Sequence, residues 1–154
     1  MHCTAGEEDA LWTRVGLTGV MPTVTGINHL ALTVSNLELS TDFYQRVLGF
    51  PPSGELSGEN LERRLFTLPD GTNLGLTQHT RPSGASFSPF TPGLDHLGLG
   101  VDTRQDLQSW AEHLSTLGVE HSGLVDASYG TALSFKDPDG TALEFFTSNS
   151  SPRA

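Results

Sequence analysis

The segment INHLALTV at residues 27–34 recurs as LDHLGLGV at residues 94–101. Further along, the tetrapeptide PDGT at residues 69–72 recurs unchanged at residues 138–141. Two motifs that repeat in the same order at nearly the same spacing are typical of an internal duplication. We therefore expect two copies of one module of about 60 residues.

Each copy shows the same order of predicted elements. An opening strand alternates between aliphatic and small or polar residues, and a helix follows it. The first helix is predicted at residues 38–48, ending at Gly49, and the second at residues 105–117, ending at Gly118. The predicted buried stripe of the first helix is Leu39, Phe43 and Val47. Two or three strands close each copy, with an Asp-Gly turn before the last one; the strands delimited by the pattern are 61–68, 72–79, 131–136 and 141–147.

This pattern predicts an α+β fold, in which two tandem βαβββ modules form a curved mixed sheet around a metal-binding cavity. The predicted organisation is an N-terminal extension at 1–24, a first module at 25–80, a linker at 81–93, a second module at 94–148 and a tail at 149–154.

The composition excludes several classes of function. The 154 residues carry 18 acids against 8 bases, and a formal net charge of −10 repels phosphate backbones and anionic membrane surfaces. No apolar run reaches the length of a membrane span. The first residues lack the features of a secretory signal, and the single cysteine, Cys3, can form no internal disulfide. We expect a cytoplasmic protein with no nucleic-acid or membrane partner.

The two opening strands share a second pattern. Their aliphatic residues lie on one face and are expected to pack on the helices. The other face carries a histidine followed by a small residue: His29 before Ala31, and His96 before Gly98. In the last strand, Glu144 falls on the histidine side. A carboxylate among small residues inside a sheet cavity is costly unless it has a partner, so the pattern favours a bound cation.

Two imidazoles and one carboxylate form a facial triad with open coordination positions. Such a set suits one divalent first-row ion, with Fe(II) or Mn(II) favoured and Ni, Co or Zn as further options. The open positions allow a small substrate to bind the ion through two oxygens. The alternative is that each histidine is a hydrogen-bonded core residue. Two histidines at repeat-equivalent positions, with a matching glutamate, favour the metal.

Two stretches carry a family resemblance: INHLALTVSNLELSTDFYQRVLGF at residues 27–50 and KDPDGTALEFF at residues 136–146. With the paired modules, they resemble the vicinal oxygen chelate superfamily over roughly residues 26–147. That group includes glyoxalases, bleomycin-resistance proteins, fosfomycin-resistance enzymes, epimerases and extradiol dioxygenases. The resemblance implies that His29, His96 and Glu144 are the metal ligands. It also implies that the modules pair either within one chain or across a homodimer, and we expect a homodimer.

The sequence departs from the family at one ligand position. Glyoxalases and epimerases usually have Glu or Gln in the last strand of the first copy, at the position that Gly75 occupies here. Glycine offers no ligand. The resemblance therefore implies a site with three protein ligands, as in the dioxygenases and fosfomycin enzymes.

None of the family's named reactions fits fully. Extradiol dioxygenases have an acid–base His where this chain has Thr72 or Asn73, and a Tyr where it has Ser134. Fosfomycin enzymes share that Tyr and have a Thr at the position of Ala31. Glyoxalase chemistry needs a base, a catalytic role that Glu144 could combine with metal binding.

The sequence therefore predicts a metal-dependent glyoxalase- or dioxygenase-like enzyme, with lyase, isomerase or oxygenase chemistry on a small molecule. The alternative is a bleomycin-resistance-like protein that binds a small molecule or antibiotic without catalysis. Candidate substrate residues are Arg63, Thr77, His79 and Ser134. Arg63 could bind a carboxylate or phosphate, although a surface cation is the simpler interpretation within the run at residues 62–64. His79 lies too far along its strand from Gly75 to replace the missing ligand directly.

Overall fold

The computed structural model describes residues 23–149, so most of the predicted N-terminal extension and C-terminal tail lies outside the described residues. The first module consists of β1 (His29–Thr33), α1 (Leu37–Leu48), β2 (Gly54–Gly58), β3 (Leu61–Thr67) and β4 (Asn73–His79). The second consists of β5 (Leu97–Gly100), α2 (Arg104–Thr116), β6 (His121–Ala127), β7 (Gly130–Lys136) and β8 (Ala142–Ser148). None of the described helices is long and apolar enough to cross a membrane.

The strands form two four-stranded mixed sheets, ordered β1-β4-β3-β2 and β5-β8-β7-β6. In each sheet the opening strand pairs parallel with the last strand, and the other neighbours are antiparallel. The predicted α+β fold of two βαβββ units is thus confirmed. The two sheets are distinct hydrogen-bonded units and form no closed barrel, and β1 and β5 each lie at an edge.

Local capping explains where α1 begins and ends. The Asn36 side chain accepts a hydrogen bond from the backbone N–H of Leu39, which satisfies a donor that the first turn leaves free. At the other end Gly49 adopts a φ of 82°, a left-handed conformation that glycine reaches without steric cost. The predicted C-terminal end of the first helix is therefore correct.

The buried stripe of α1 differs from the prediction. Leu39, predicted to be buried, is 55% exposed. The residues of α1 that are buried follow a spacing of three, four and three residues: Leu37, Ser40, Tyr44 and Val47. This spacing fits one face of a helix and brings the large Tyr44 ring into the core, which turns Leu39 toward solvent.

Burial alternates along β8, whereas residues 74–77 of the inner strand β4 are all buried. Leu32 and Leu76 of the first sheet, and Leu143 and Phe145 of the second, are buried in the core with the helices. We call the opposite surface of each sheet its open face. The open face of the first sheet carries residues 29, 31 and 33 of β1, 73, 75, 77 and 79 of β4, 61, 63, 65 and 67 of β3, and 54, 56 and 58 of β2. That of the second carries residues 98 and 100 of β5, 142, 144, 146 and 148 of β8, and 130, 132, 134 and 136 of β7.

The two modules are joined by polar contacts as well as by one continuous core. The hydroxyl of the buried Tyr44 donates to Asp137 Oδ2 at 3.1 Å. The backbone N–H of Ser35 donates to Asp139 Oδ2 at 3.0 Å. The ring Nε2 of His113, on α2, lies within hydrogen-bonding distance of two carbonyl oxygens in the last turn of α1. The turn before β8 is thus held from the first module.

The Asp137 carboxyl predicts a pH-dependent stability. Burial raises its pKa, although hydrogen bonds from Thr141, Tyr44 and Asp139 oppose the shift. A carboxyl whose pKa is higher in the folded protein contributes stability below its ordinary pKa, and this stability is lost as the pH rises through the folded value. We therefore expect the free energy of unfolding of the wild type, relative to Asp137→Asn, to fall as the pH rises from about 4 to about 7.

Urea denaturation of both proteins across this pH range measures that difference. The asparagine keeps one oxygen for the backbone N–H groups of Asp139 and Thr141, so the turn itself is preserved. A difference in unfolding free energy that does not change with pH would contradict the prediction.

Candidate metal centre

The second module places Glu144 on the open face of its sheet, and His96 directly before the edge strand β5. Glu144 lies in β8, beside Gly98 of β5 and Ser134 of β7. His96 precedes Gly98 by two residues and β5 by one, so the alternation of β5, continued backward by one residue, predicts the same face for its side chain. A Cβ atom at Gly98 would stand 4.0 Å from Glu144 Oε1, and glycine leaves that space open. We call His96, Gly98, Ser134 and Glu144 the second half-site.

The carboxylate of Glu144 has no polar partner in the part of the chain that the structure describes. It is half-buried, and within residues 23–149 it takes part in neither a hydrogen bond nor an ion pair. A carboxylate partly withdrawn from water needs compensation from a cation or from donors. This carboxylate is therefore suited to bind a cation on the open face.

The first module builds a related arrangement around His29. His29 begins β1 and is paired with Asn73, and Ala31 is paired with Gly75. The Ala31 and Gly75 pair is the repeat equivalent of the Gly98 and Glu144 pair in the second module. A Cβ atom at Gly75 would stand 3.2 Å from Arg63 Cδ and 3.6 Å from Ala31 Cβ. We call His29, Ala31, Arg63 and Gly75 the first half-site.

Both histidines are oriented by the residue before them. His29 Nδ1 lies 3.1 Å from Asn28 Oδ1, and His96 Nδ1 lies 2.6 Å from Asp95 Oδ1. An oxygen acceptor at Nδ1 favours a proton there and leaves the Nε2 lone pair for a ligand. Sequence analysis did not assign these two acceptors. The repeat contained the signal, because an oxygen-bearing side chain precedes the histidine in both copies.

The candidate substrate residues lie in different places. Arg63 and Thr77 are brought together in the first sheet, where Arg63 Nε donates to Thr77 Oγ1 at 2.7 Å. Ser134 is exposed and is paired with Glu144. His79 is exposed at the end of β4, opposite Leu61. His79 is therefore the member of this group that lies farthest along its strand from the half-sites.

A single chain does not bring the three predicted ligands together. Among residues 23–149, no three His, Cys, Asp or Glu side chains lie close enough to hold one metal ion. Glu144 lies in the second sheet and His96 directly before its strand β5, whereas His29 belongs to the first sheet. The assignment of these three ligands to one ion stays a prediction, and it requires that the two half-sites meet.

Comparison with known proteins agrees with the fold. The family model described as Glyoxalase/Bleomycin resistance protein/Dioxygenase superfamily matches residues 26–145. Among curated proteins, the chain is similar to MhqA of Bacillus subtilis (strain 168), whose name gives it an inferred ring-cleaving dioxygenase activity. The two are 29% identical over 124 residues, which is 78% of this chain and 39% of MhqA. The chain thus spans about two fifths of the length of that relative.

Solved structures show the same architecture. A glyoxylase/bleomycin resistance protein/dioxygenase domain from Frankia sp. EAN1pec is 28% identical, with a TM-score of 0.77 over 82% of this chain and 100% of that one. A variant of the fosfomycin resistance protein FosX from Listeria monocytogenes, in complex with Mn(II) and 1S,2S-dihydroxypropylphosphonic acid, has a TM-score of 0.61. It is 19% identical, over 80% of this chain and 92% of that one, a likeness that concerns the fold.

Proposed function

The chain belongs to the glyoxalase/bleomycin resistance protein/dioxygenase superfamily, and we propose that it is a divalent-metal-dependent enzyme whose small substrate binds the ion through oxygens. His29, His96 and Glu144 are the proposed ligands. The observation that carries the proposal is the half-buried carboxylate of Glu144, which has no partner among residues 23–149 and faces the open space at Gly98, two residues after His96. A cytoplasmic location is part of the same proposal.

The donor set fits a first-row divalent ion. Two imidazole nitrogens and one carboxylate leave coordination positions open, and this set suits Fe(II) or Mn(II), with Ni, Co and Zn as alternatives. The acceptors at Asn28 and Asp95 supply the outer support that metal-binding histidines need. Both His29 and His96 are exposed in the single chain, so their Nε2 atoms are accessible to an ion.

The residues in and beside the half-sites have different roles in the proposed reaction. When bound, the ion would stabilise negative charge that develops on the substrate oxygens. Glu144 accepts a proton from the bound substrate, because it is the carboxylate of the two half-sites. Gly98 and Ala31 leave room for the substrate beside the histidines. Asn28 and Asp95 hold the rings in position while the proton moves.

The complete site forms in a homodimer. The two half-sites stand on different sheets, and the strands that carry His29 and His96 lie at or next to free sheet edges. An edge strand presents unpaired backbone N–H and C=O groups that a second chain can use. In a two-fold dimer, the first half-site of each chain meets the second half-site of its partner, which creates two equivalent sites.

A second candidate function is binding of a small molecule or antibiotic without catalysis. The observation that favours it lies on the second open face, where the Tyr129 and Phe146 rings stack with centroids 5.9 Å apart. Tyr129 is 71% exposed, and this apolar surface beside Glu144 would suit a drug-sized aromatic ligand. The relative MhqA adds ring cleavage as one possible reaction, although Ser134 stands where the dioxygenases have a tyrosine.

Metal content distinguishes the two functions. Protein purified anaerobically is expected to hold about one first-row ion per chain, since the dimer contains one site for each chain. Elemental analysis measures this content. The spectrum of the metal is then followed while catechols, thiohemiacetals and antibiotics are added in turn, and a changed ligand field identifies the class that enters the site. Purified protein without metal, which also takes up none when Fe(II), Mn(II), Ni(II), Co(II) or Zn(II) is added, would favour the binding function and refute the enzyme.

A further inference from the structure

The open face of the first sheet has an unusual charge for this chain. The protein has 18 acidic residues against 8 basic ones. Among the fourteen described positions of this face, however, there is no acid, and Arg63 is the one Lys or Arg. His29 and His79 add two imidazoles to the same surface. In an acidic protein, this face is therefore a local surface without negative side-chain charge, next to the proposed metal site.

Arg63 is held in place on this face. Its Nε donates to Thr77 Oγ1 at 2.7 Å, and Thr77 is 2% exposed. Its side-chain stem lies over Gly75, with Cδ 3.2 Å from the place of a Cβ atom. Arg63 is half-buried as a residue, and within residues 23–149 its two terminal nitrogens have neither a hydrogen bond nor an ion pair. A positioned guanidinium with free terminal donors is suited to a carboxylate or phosphate, which it can bind through two parallel hydrogen bonds.

The next residue in the same strand, Arg64, has different surroundings from those of Arg63. It points to the opposite face, where its Nη1 lies 3.6 Å from a carboxylate oxygen of Glu55. Its register partner across β3 and β4 is the buried Leu76. Arg63 and Arg64 therefore form a matched pair in sequence, but only Arg64 has an acidic partner among the described residues.

Gly75 connects this arginine with the missing metal ligand. The repeat equivalent of Gly75 in the second sheet is Glu144, the proposed ligand. In the first sheet a side chain at this position would press on the Arg63 stem and on Leu65, whose Cδ2 stands 3.5 Å from the Cβ position. The absence of a side chain thus leaves room for Arg63 to extend across β4. One half-site presents a carboxylate at this location, and the other presents a guanidinium.

We propose that Arg63 is the specificity-determining residue of the site, and that it binds an oxyanion group of the substrate, a carboxylate, phosphate or phosphonate. The inference rests on the proposed function in one respect, since the oxyanion belongs to the molecule that binds the metal. Thr77 is a positioning residue, because it fixes Nε and leaves the terminal nitrogens free. The substrate class is then a small oxygen chelator that carries an additional anionic group.

The test uses inorganic phosphate and benzoate as probes on the full-length protein without metal, at constant ionic strength. The arginine Nε–H signals in ¹⁵N NMR spectra report the binding. We expect the Arg63 signal to shift saturably with either anion and the Arg64 signal to stay in place. Arg63→Gln is expected to weaken the binding of phosphate by about tenfold or more. Arg64→Gln is expected to leave it unchanged, and Thr77→Val to cause an intermediate loss.

Several outcomes would overturn the inference. They are equal shifts at Arg63 and Arg64, or unchanged phosphate affinity in Arg63→Gln. An Arg63→Lys variant guards against a folding defect, because it keeps the charge and is expected to retain part of the affinity.

The same samples are then loaded with Mn(II). Anion binding that depends on Arg63 in a protein that takes up no metal would support the anion site and refute the metal enzyme. Metal uptake together with anion affinity that is indifferent to Arg63 would refute the anion site alone. The Arg63 NMR signal could instead shift in the Glu144→Gln variant and not on addition of phosphate. This result would show that the guanidinium pairs with Glu144, and it too would overturn the inference.

Discussion

His29→Ala and His96→Ala are each expected to purify without stoichiometric metal. When the two variants are unfolded, mixed in equal amounts and refolded together, we expect metal to return to about a quarter of the sites. Loss of a metal-binding side chain should weaken affinity by at least about a hundredfold, because even supporting residues contribute ten- to hundredfold. The recovery follows from the arrangement of the half-sites on two sheets. In a mixed dimer, one site combines the two mutated half-sites and the other combines the two intact ones.

Elemental analysis before and after mixing measures this result. His79→Ala is the control for loss of an imidazole from the same open face, and it should keep its metal. Recovery of no metal after mixing would contradict a site shared between chains, and it would favour half-sites that close within one chain. Full metal content in His96→Ala would refute the proposed ligand set itself.

Gly130→Ala is expected to lower the free energy of unfolding by about 3 kcal/mol or more. Gly130 is buried at the start of β7, and a methyl group there would stand far inside van der Waals contact of the Phe146 ring and of the Thr147 carbonyl oxygen. The Phe146 ring is itself stacked by Tyr129, and the carbonyl belongs to the backbone of the neighbouring strand β8. Neither can move aside without disturbing the sheet that carries Glu144.

Gly58→Ala is the matched control, at the end of β2 in the corresponding hairpin of the first module. A methyl group there would meet Leu61 at 3.7 Å, an ordinary contact, so the unfolding free energy should change by less than about 1 kcal/mol. Urea denaturation of both variants gives the comparison. Equal stability of Gly130→Ala and Gly58→Ala would contradict the crowding at the start of β7.

The repeat and the strand alternation predicted most of the fold. Alternation predicted that Leu32 and Leu143 face the core, because a strand with one buried face must alternate. The end of α1 was predictable because Gly49 adopts a conformation that other residues avoid. The exposure of Leu39 was not predictable, because the spacing of apolar residues does not show that the ring of Tyr44 is buried in the core instead. Strands β2 and β6 read GELSG and HSGLVDA, and neither alternates regularly between apolar and polar residues, so periodicity did not delimit them.

The candidate site was predictable in its composition and less so in its assembly. Parity alone predicted that His96 and Glu144 share one face. The register of β5 and β8 pairs Gly98 with Glu144, while His96 lies one residue before β5 and its assignment stays a prediction. Whether His29 binds the same ion as His96 and Glu144 depends on how two sheets meet, and no local sequence pattern predicts that arrangement. Arg63 and Arg64 are adjacent and identical in sequence, and only register and the carboxylate of Glu55 distinguish their surroundings.

The contacts of the first module with the turn at residues 137–141 have a consequence for how far each repeat can still fold alone. Tyr44 and Ser35 bind this turn, and side chains of both modules fill one core. A module separated from its sister would expose the apolar surface that the two now share and would leave the Asp137 and Tyr44 polar groups without each other. We therefore expect neither module to be stable alone, although each has all the strands and the helix of one βαβββ unit. The two modules should unfold together in a single cooperative transition.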